Sequence, residues 1–361
     1  MAIPDGFVML DGVDRTELGL NLDSSLNELS AFADPPLIAP ISDRIMVDRH
    51  YGLVYTEMEL LPVAVYGKTD DLPAYSGDEL ANYGFLRVPF RRIPRRIVHS
   101  RKDVESIVGS IHSADTKLRI LYRGQCREYL IERTSETSQW LYGVESVLEP
   151  SLAASASRRK PGLESVMPEW CALLKVFIDT YKIPVNHEFL TDGTFRLFAL
   201  ALAQHYGLPT SGLDVTDRLE IGLYFALMQY QKAAGSPEAA YTYRDRTAAM
   251  PVLYILAPAE NQQFDYEQYR PEGFPTGRPT AQSAFFMHTG WGHAENLCAS
   301  RIFLALYLDP DGDFGPIPAP NELFPLGGDD LFATFLTEMM QRKLGGPLDR
   351  VLAEGFYTVA P

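Results

Sequence analysis

The chain has 361 residues, 46% of them hydrophobic and 22% charged, with a formal net charge of −15. This is an ordinary globular composition, long enough for a large core organised as two units rather than one. The acidic balance excludes a general nucleic-acid coat protein, because neutralising phosphates supplies most non-specific affinity. No run of about 18 apolar residues occurs, and the opening "MAIPDGFVML" lacks the basic flank and apolar stretch of a signal peptide. A cytoplasmic location with no membrane partner is the expectation. Cys126, Cys171 and Cys298 have no C-x-x-C spacing, so buried thiols are expected rather than a disulfide frame or a zinc site.

In chain order, the Pro- and Asp-rich stretch "AFADPPLIAPISD" and short strand-like pieces such as "GLVYTEMELLPVAVYG" read as an N-terminal accessory region over residues 1–95. It closes in a basic boundary segment, "RVPFRRIPRRIVHSRK", which holds no acid and two prolines and is therefore extended or kinked. Arg91, Arg92, Arg95 and Arg96 make it either a solvated linker or a phosphate-contacting strip. A second unit follows over residues 96–361. "RKDVESIVGSIHSA" spaces Val104, Ile107, Val108 and Ile111 at helical intervals, and "KLRILYRGQ" reads as a buried strand that runs out at Gly124. "EWCALLKVFIDTYKI" and "TFRLFALALAQHY" are two apolar helices joined by the turn-rich "PVNHEFLTDG". "PTSGLDVT" suits a strand, and Asp217 with Glu220 marks the start of a buried helix, "RLEIGLYFALMQYQ". "MPVLYILAPA", "TAQSAFFMHT" and "SRIFLALYLD" are core strands, and "GDDLFATFLTEMMQRKL" is a helix. Helices first and strands later indicate an α+β fold.

The common catalytic signatures are missing: there is no G-x-S-x-G, no Walker A and no H-E-x-x-H. His288, His293 and Glu295 have no metal-triad spacing, and no metal is assigned. Asp214 stands between Leu213 and Val215, so strand alternation turns it away from both. Arg123 ends an apolar strand, where it either pairs with a buried acid or faces a cleft. His205 either caps the helix before it or joins the same cleft, and Thr216 either caps the following helix or does likewise. Arg278 and Gln282 read as a loop clamp or as part of the site.

"YRGQ" at 122–125, "LEPSL" at 148–152, "QHYGLPTSGLDVT" at 204–216 and "RPTAQSAFF" at 278–286 resemble, in this order, the elements of the FRG domain family. Ser211 stands where members usually have Arg. The layout is also similar to ADP-ribosyltransferases, which implies a helical first half packed on a mixed, split β-sheet. It further implies NAD as substrate and a nucleic acid or protein as acceptor. An antitoxin-like inhibitory partner, in a toxin or phage-defence setting, follows from the same resemblance. Under it, Arg123, Asp214 and Gln282 take the catalytic places, and Tyr122, Gly124, Gln125, His205 and Thr216 hold the nucleotide. Arg91, Arg92, Arg95 and Arg96 would then contact the acceptor. Gln282, where transferases carry Glu, has no proton to exchange. Either another carboxylate such as Asp214 or Glu295 is the base, or the acceptor needs little activation, or catalysis is lost. A non-catalytic nucleotide-sensing or protein-interaction module using the same cleft is the competing expectation.

Overall fold

The computed structural model describes residues 95–114, 119–132, 135, 148–155, 163–232, 238–245, 249–258, 263–275, 277–288, 298–299, 302–343 and 345–359. It also describes three short antiparallel strands, β1 (Phe7–Met9), β2 (Ile45–Asp48) and β3 (Leu53–Thr56). Arg91, Arg92, His293, Glu295 and the side chain of His288 lie outside the described residues.

The basic segment is extended only as far as Ser100. β4 (Arg95–Ser100) gives way at once to helix α1 (Arg101–Ala114). A reciprocal cap makes the switch: Asp103 accepts from the Ser100 amide at 2.8 Å, and the Ser100 hydroxyl accepts from the Asp103 amide at 3.2 Å. Val104 and Ile111 then face the core at helical spacing.

A seven-stranded mixed sheet carries the rest of the fold. Its members are β4, β5 (Leu121–Gln125), β8 (Gly212–Thr216), β11 (Val252–Leu256), β12 (Gln263–Asp265), β13 (Ala284–His288) and β14 (Ile302–Asp313), in the spatial order β12-β13-β8-β5-β11-β14-β4. Only the outer β14–β4 pair is parallel. Two strands omitted from this order, β6 (Leu130–Glu132) and β7 (Leu148–Pro150), pair with each other. β5 runs one residue beyond Gly124, and every residue of β11 is buried, as expected of a strand covered on both faces.

Against one side lie helices α2 (Met167–Thr180) and α3 (Gly193–His205). Trp170 is fully buried between them and donates its indole N–H to the Ala199 carbonyl at 2.8 Å. α3 ends at Gly207, whose φ of +85° is left-handed and whose missing Cβ would strike the Gly355 carbonyl.

Helix α4 (Leu219–Leu227) corrects the sequence reading at both ends. Arg218, not Asp217, precedes its first turn and offers no side-chain cap, while the Asp217 carboxylate accepts from the Ser283 hydroxyl at 2.6 Å. After Leu227 the chain becomes a strand, β9 (Met228–Lys232), rather than further helix. "MQYQ" alternates with period two, and its partner β10 (Glu238–Tyr243) and the short β15 (Thr358–Val359) complete a second, three-stranded sheet. The buried part of α4, Ile221 to Tyr224 with Ala226, lies on β5. Gly124 and Gly222 permit that contact: a Cβ on Gly124 would sit 2.0 Å from the Gly222 carbonyl oxygen. The remaining helices are α5 (Tyr266–Tyr269), α6 (Arg278–Ala281), α7 (Pro320–Leu323), α8 (Leu331–Arg342) and α9 (Pro347–Gly355). The fold is α+β with a mixed sheet, as the order of elements implied.

Candidate functional site

The main sheet forks. β5 and β8 share one residue pair, Tyr122 with Thr216, although each remains paired over five residues with its outer neighbour. The fork leaves backbone groups without a ladder, and Arg123 closes part of the gap by donating from Nη1 to the Asp214 main-chain carbonyl at 2.5 Å. Thus Arg123 pairs with a backbone carbonyl of the neighbouring strand, not with a buried acid.

A cleft of about 340 Å³ opens at the fork. Tyr122, Arg123, Gly124, Gln125, His205, Asp214, Thr216 and Gln282 all line it. Four elements bring them together: β5, the end of α3, β8, and the turn after α6. Gly124 is demanded by the helix behind it, as its close approach to Gly222 requires. The Thr216 hydroxyl accepts from the Arg218 amide at 3.1 Å and so shapes the turn into α4 while facing the cleft. Burial pushes the Tyr122 phenol up to about 12, which keeps it a neutral hydroxyl at physiological pH.

Asp214 is held by two consecutive residues at the end of α3. Gln204 donates from Nε2 to Asp214 Oδ2 at 3.4 Å, and His205 Nε2 stands 3.4 Å from Oδ1. Gln204 is itself oriented by the hydroxyls of Thr210 and Ser155, both of which donate to its Oε1. His205 does not cap its helix; its Nδ1 faces Gln282 Oε1 at 3.3 Å. Burial is the main cause that lowers the imidazole below its usual value, with the Asp214 carboxylate opposing the shift. Gln282 completes its own bonding by donating from Nε2 to the Leu323 carbonyl at 3.1 Å.

Behind them Arg278 acts as the clamp. It is wholly buried and donates to the carbonyls of His205 and Tyr357, each at 3.0 Å. The rings of Tyr206, Phe324 and Tyr357 lie within 5.2 Å of its guanidinium carbon.

Several lining residues escaped the sequence reading. Tyr230, Tyr241 and Tyr357 form an aromatic wall, with Tyr230 5.5 Å from Tyr241 and 5.1 Å from Tyr357 between ring centroids. For Tyr230 and Tyr241 the signal was the period-two pattern of "MQYQ" and "EAAYTY". Gln204 was visible in the motif but had no assigned partner. Cys126 also lines the cleft and is only half-buried, as is Cys171, so of the three thiols expected in the core Cys298 alone is there.

The basic strip lies elsewhere on the sheet. β11 and β14 separate β4 from β5, roughly 14 Å at about 4.8 Å per strand. Arg95 is bound to Glu128 at 3.2 Å and to the Tyr307 hydroxyl at 3.1 Å, whereas Arg96 is exposed. Among the described residues, no group of three or more His, Cys, Asp or Glu side chains is placed to hold a metal ion. Nor is any helix among them long and apolar enough to cross a membrane.

Residues 119–235 match the family model of the FRG domain. Over these residues the chain carries an FRG domain. The FRG match runs from just before β5 to just after β9, so it takes in Arg123, His205, Asp214 and Thr216. Gln282 and Tyr357 enter the FRG cleft from beyond the matched span. No curated protein and no solved structure matches the chain.

Proposed function

We propose that this FRG domain is an NAD-dependent ADP-ribosyltransferase-like effector that places ADP-ribose on a nucleic acid or protein acceptor. The observation that carries the reading is one cleft in which Arg123 Nε, Gln125 Oε1, His205 Nε2 and Asp214 Oδ1 are all buried without a hydrogen-bond partner. Buried polar atoms are ordinarily satisfied, so a donor-and-acceptor set left open in a cleft marks a place for a polar ligand. Its volume suits the nicotinamide riboside half of NAD, and both aromatic rings and a guanidinium line it. Breaking the glycosidic bond places positive charge on the ribose, which the Asp214 carboxylate would stabilise, while Arg123 holds ribose or phosphate oxygens.

Of the two described arginines of the strip, Arg96 on β4 is the exposed cation available to an acidic acceptor, since Arg95 is already paired. The toxin or defence role, and an inhibitory partner to restrain it, belong to this same reading. Incubating the purified chain with NAD and measuring free nicotinamide tests it. Arg123→Ala should lower release about a hundredfold or more while the chain stays folded, and lysine should restore little because it lacks the planar fork. No release from the parent chain would sink the transferase reading.

One observation favours a second reading. Both ends of the Gln282 amide are engaged by the protein, so the residue in the place of a catalytic Glu works as a brace. A nucleotide-sensing module would then bind NAD in this cleft, detectable by calorimetry, without releasing nicotinamide.

A further inference from the structure

Gln282 dictates the protonation pattern of the cleft. Its amide Nε2 faces the Leu323 carbonyl, which can only accept, so the amide oxygen must be the atom turned to His205 Nδ1. An amide oxygen also only accepts, hence Nδ1 carries the hydrogen of the neutral ring. Nε2 then presents a lone pair, and 3.4 Å away stands Asp214 Oδ1, another acceptor. Neither atom has a hydrogen-bond partner. Two acceptors facing each other at that separation form a slot for one proton.

We propose that His205 and Asp214 are the proton-accepting pair of this cleft, with Asp214 touching the bound molecule and His205 and Gln282 positioning it. Asp214 is the accessible member: its side chain is 29% exposed, against 1% for His205. The groups facing His205 are Asp214 from β8, Arg123 from β5, Arg278 from α6, Gln282 after it and the Tyr266 ring at 6.4 Å. Burial and the two guanidinium groups disfavour a resting imidazolium, and Asp214 alone among the charged groups favours it. The slot therefore stands open at neutral pH and fills when a proton is delivered.

For the identity of the proton donor the inference rests on the transferase reading. There the ribose C1′–N bond breaks and its electron pair leaves with nicotinamide. A lone pair of an acceptor hydroxyl forms the new C1′–O bond, and the hydroxyl proton goes to the slot between Oδ1 and Nε2, from which solvent removes it. The acceptor group is accordingly a neutral nucleophile that carries a proton, a hydroxyl in preference to a carboxylate already ionised. Glutamate at 282 would set a carboxylate against the Leu323 carbonyl and hold a proton on His205, so the pair would lose its accepting form.

Imidazole nitrogen NMR on the ¹⁵N-histidine-labelled full chain, with His205→Gln to identify the signal, tests the pair without NAD. The expected result is a neutral ring protonated at Nδ1 whose Nε2 titration moves when Asp214 is replaced by Asn. In Gln282→Glu both ring nitrogens should be protonated at neutral pH. A neutral ring protonated at Nε2, or a titration indifferent to Asp214→Asn, overturns the proposal. In the nicotinamide assay, Asp214→Asn should cost about a hundredfold or more, the range of general base catalysis. Gln282→Glu should lower the rate and displace its acid limb to higher pH. The expected titration in a chain that releases no nicotinamide leaves the pair standing and removes only the transferase reading.

Discussion

The two halves of the main sheet obey opposite rules. On the β11–β14–β4 side every strand is laddered to its neighbour, and Val252 to Leu256 are all fully buried. On the β5–β8 side a single residue pair holds, and side chains take over from the backbone: Arg123 bonds a carbonyl, Gln204 and His205 address one carboxylate. The closed half is held by burial, a term proportional to area and indifferent to direction. Directed bonds hold the open half. A cleft needs exposed polar groups in fixed places, and a fork between two strands that are each laddered on their other side supplies them.

Three measurements of unfolding would break or sharpen this contrast. Leu253→Ala, in the closed half, should have the largest effect, about 2–5 kcal/mol in a denaturant titration, because it leaves a cavity in a fully packed layer. Arg123→Ala should cost less, about 1–3 kcal/mol, the loss of a charge-assisted bond whose acceptor is then orphaned. An Arg123 cost exceeding that of Leu253 would mean that the fork is part of the core. The pH dependence of stability should show the smallest difference. Burial holds the folded His205 below the ordinary imidazole value, so as pH falls through about 6.5 the unfolded chain gains a proton that the folded one refuses. Stability contributed above that pH is lost below it, and His205→Gln should remove this loss. Asp214→Asn should deepen it, since the opposing carboxylate is gone.

How far the sequence revealed this arrangement depended on the range of the forces involved. α1, α2 and α3 follow from periodicity and β11 from a short run of strand-forming residues, both local properties, and the structure agrees closely with them. Asp214 was legible for the same reason, because alternation alone turned it from the core. The end of α4 was not. Met228 to Gln231 are apolar and polar in turn, a pattern compatible with either structure over so short a run, and pairing with β10 decides it. Tyr357 and Gln282 reach the cleft only through contacts more than forty residues away, to Arg278 and Leu323. An Arg278–Gln282 pair read as a loop clamp; Arg278 is a clamp, but not on Gln282, whose amide meets His205 and Leu323 instead. What Arg278 clamps, the carbonyls of His205 and Tyr357, could not be read from spacing.

The Arg278 clamp has a consequence for how the chain is made. Its two carbonyl partners lie 73 residues before it and 79 residues after it. Domains form progressively during synthesis, from the N-terminal side onward. A nascent chain that has already emerged through β13 can hold His205 but not Tyr357, which supplies one wall of the cleft. The cleft is thus incomplete for a stretch of translation: until α9 and the residues after it have emerged, the Tyr357 ring and one of the two carbonyl acceptors of Arg278 are missing.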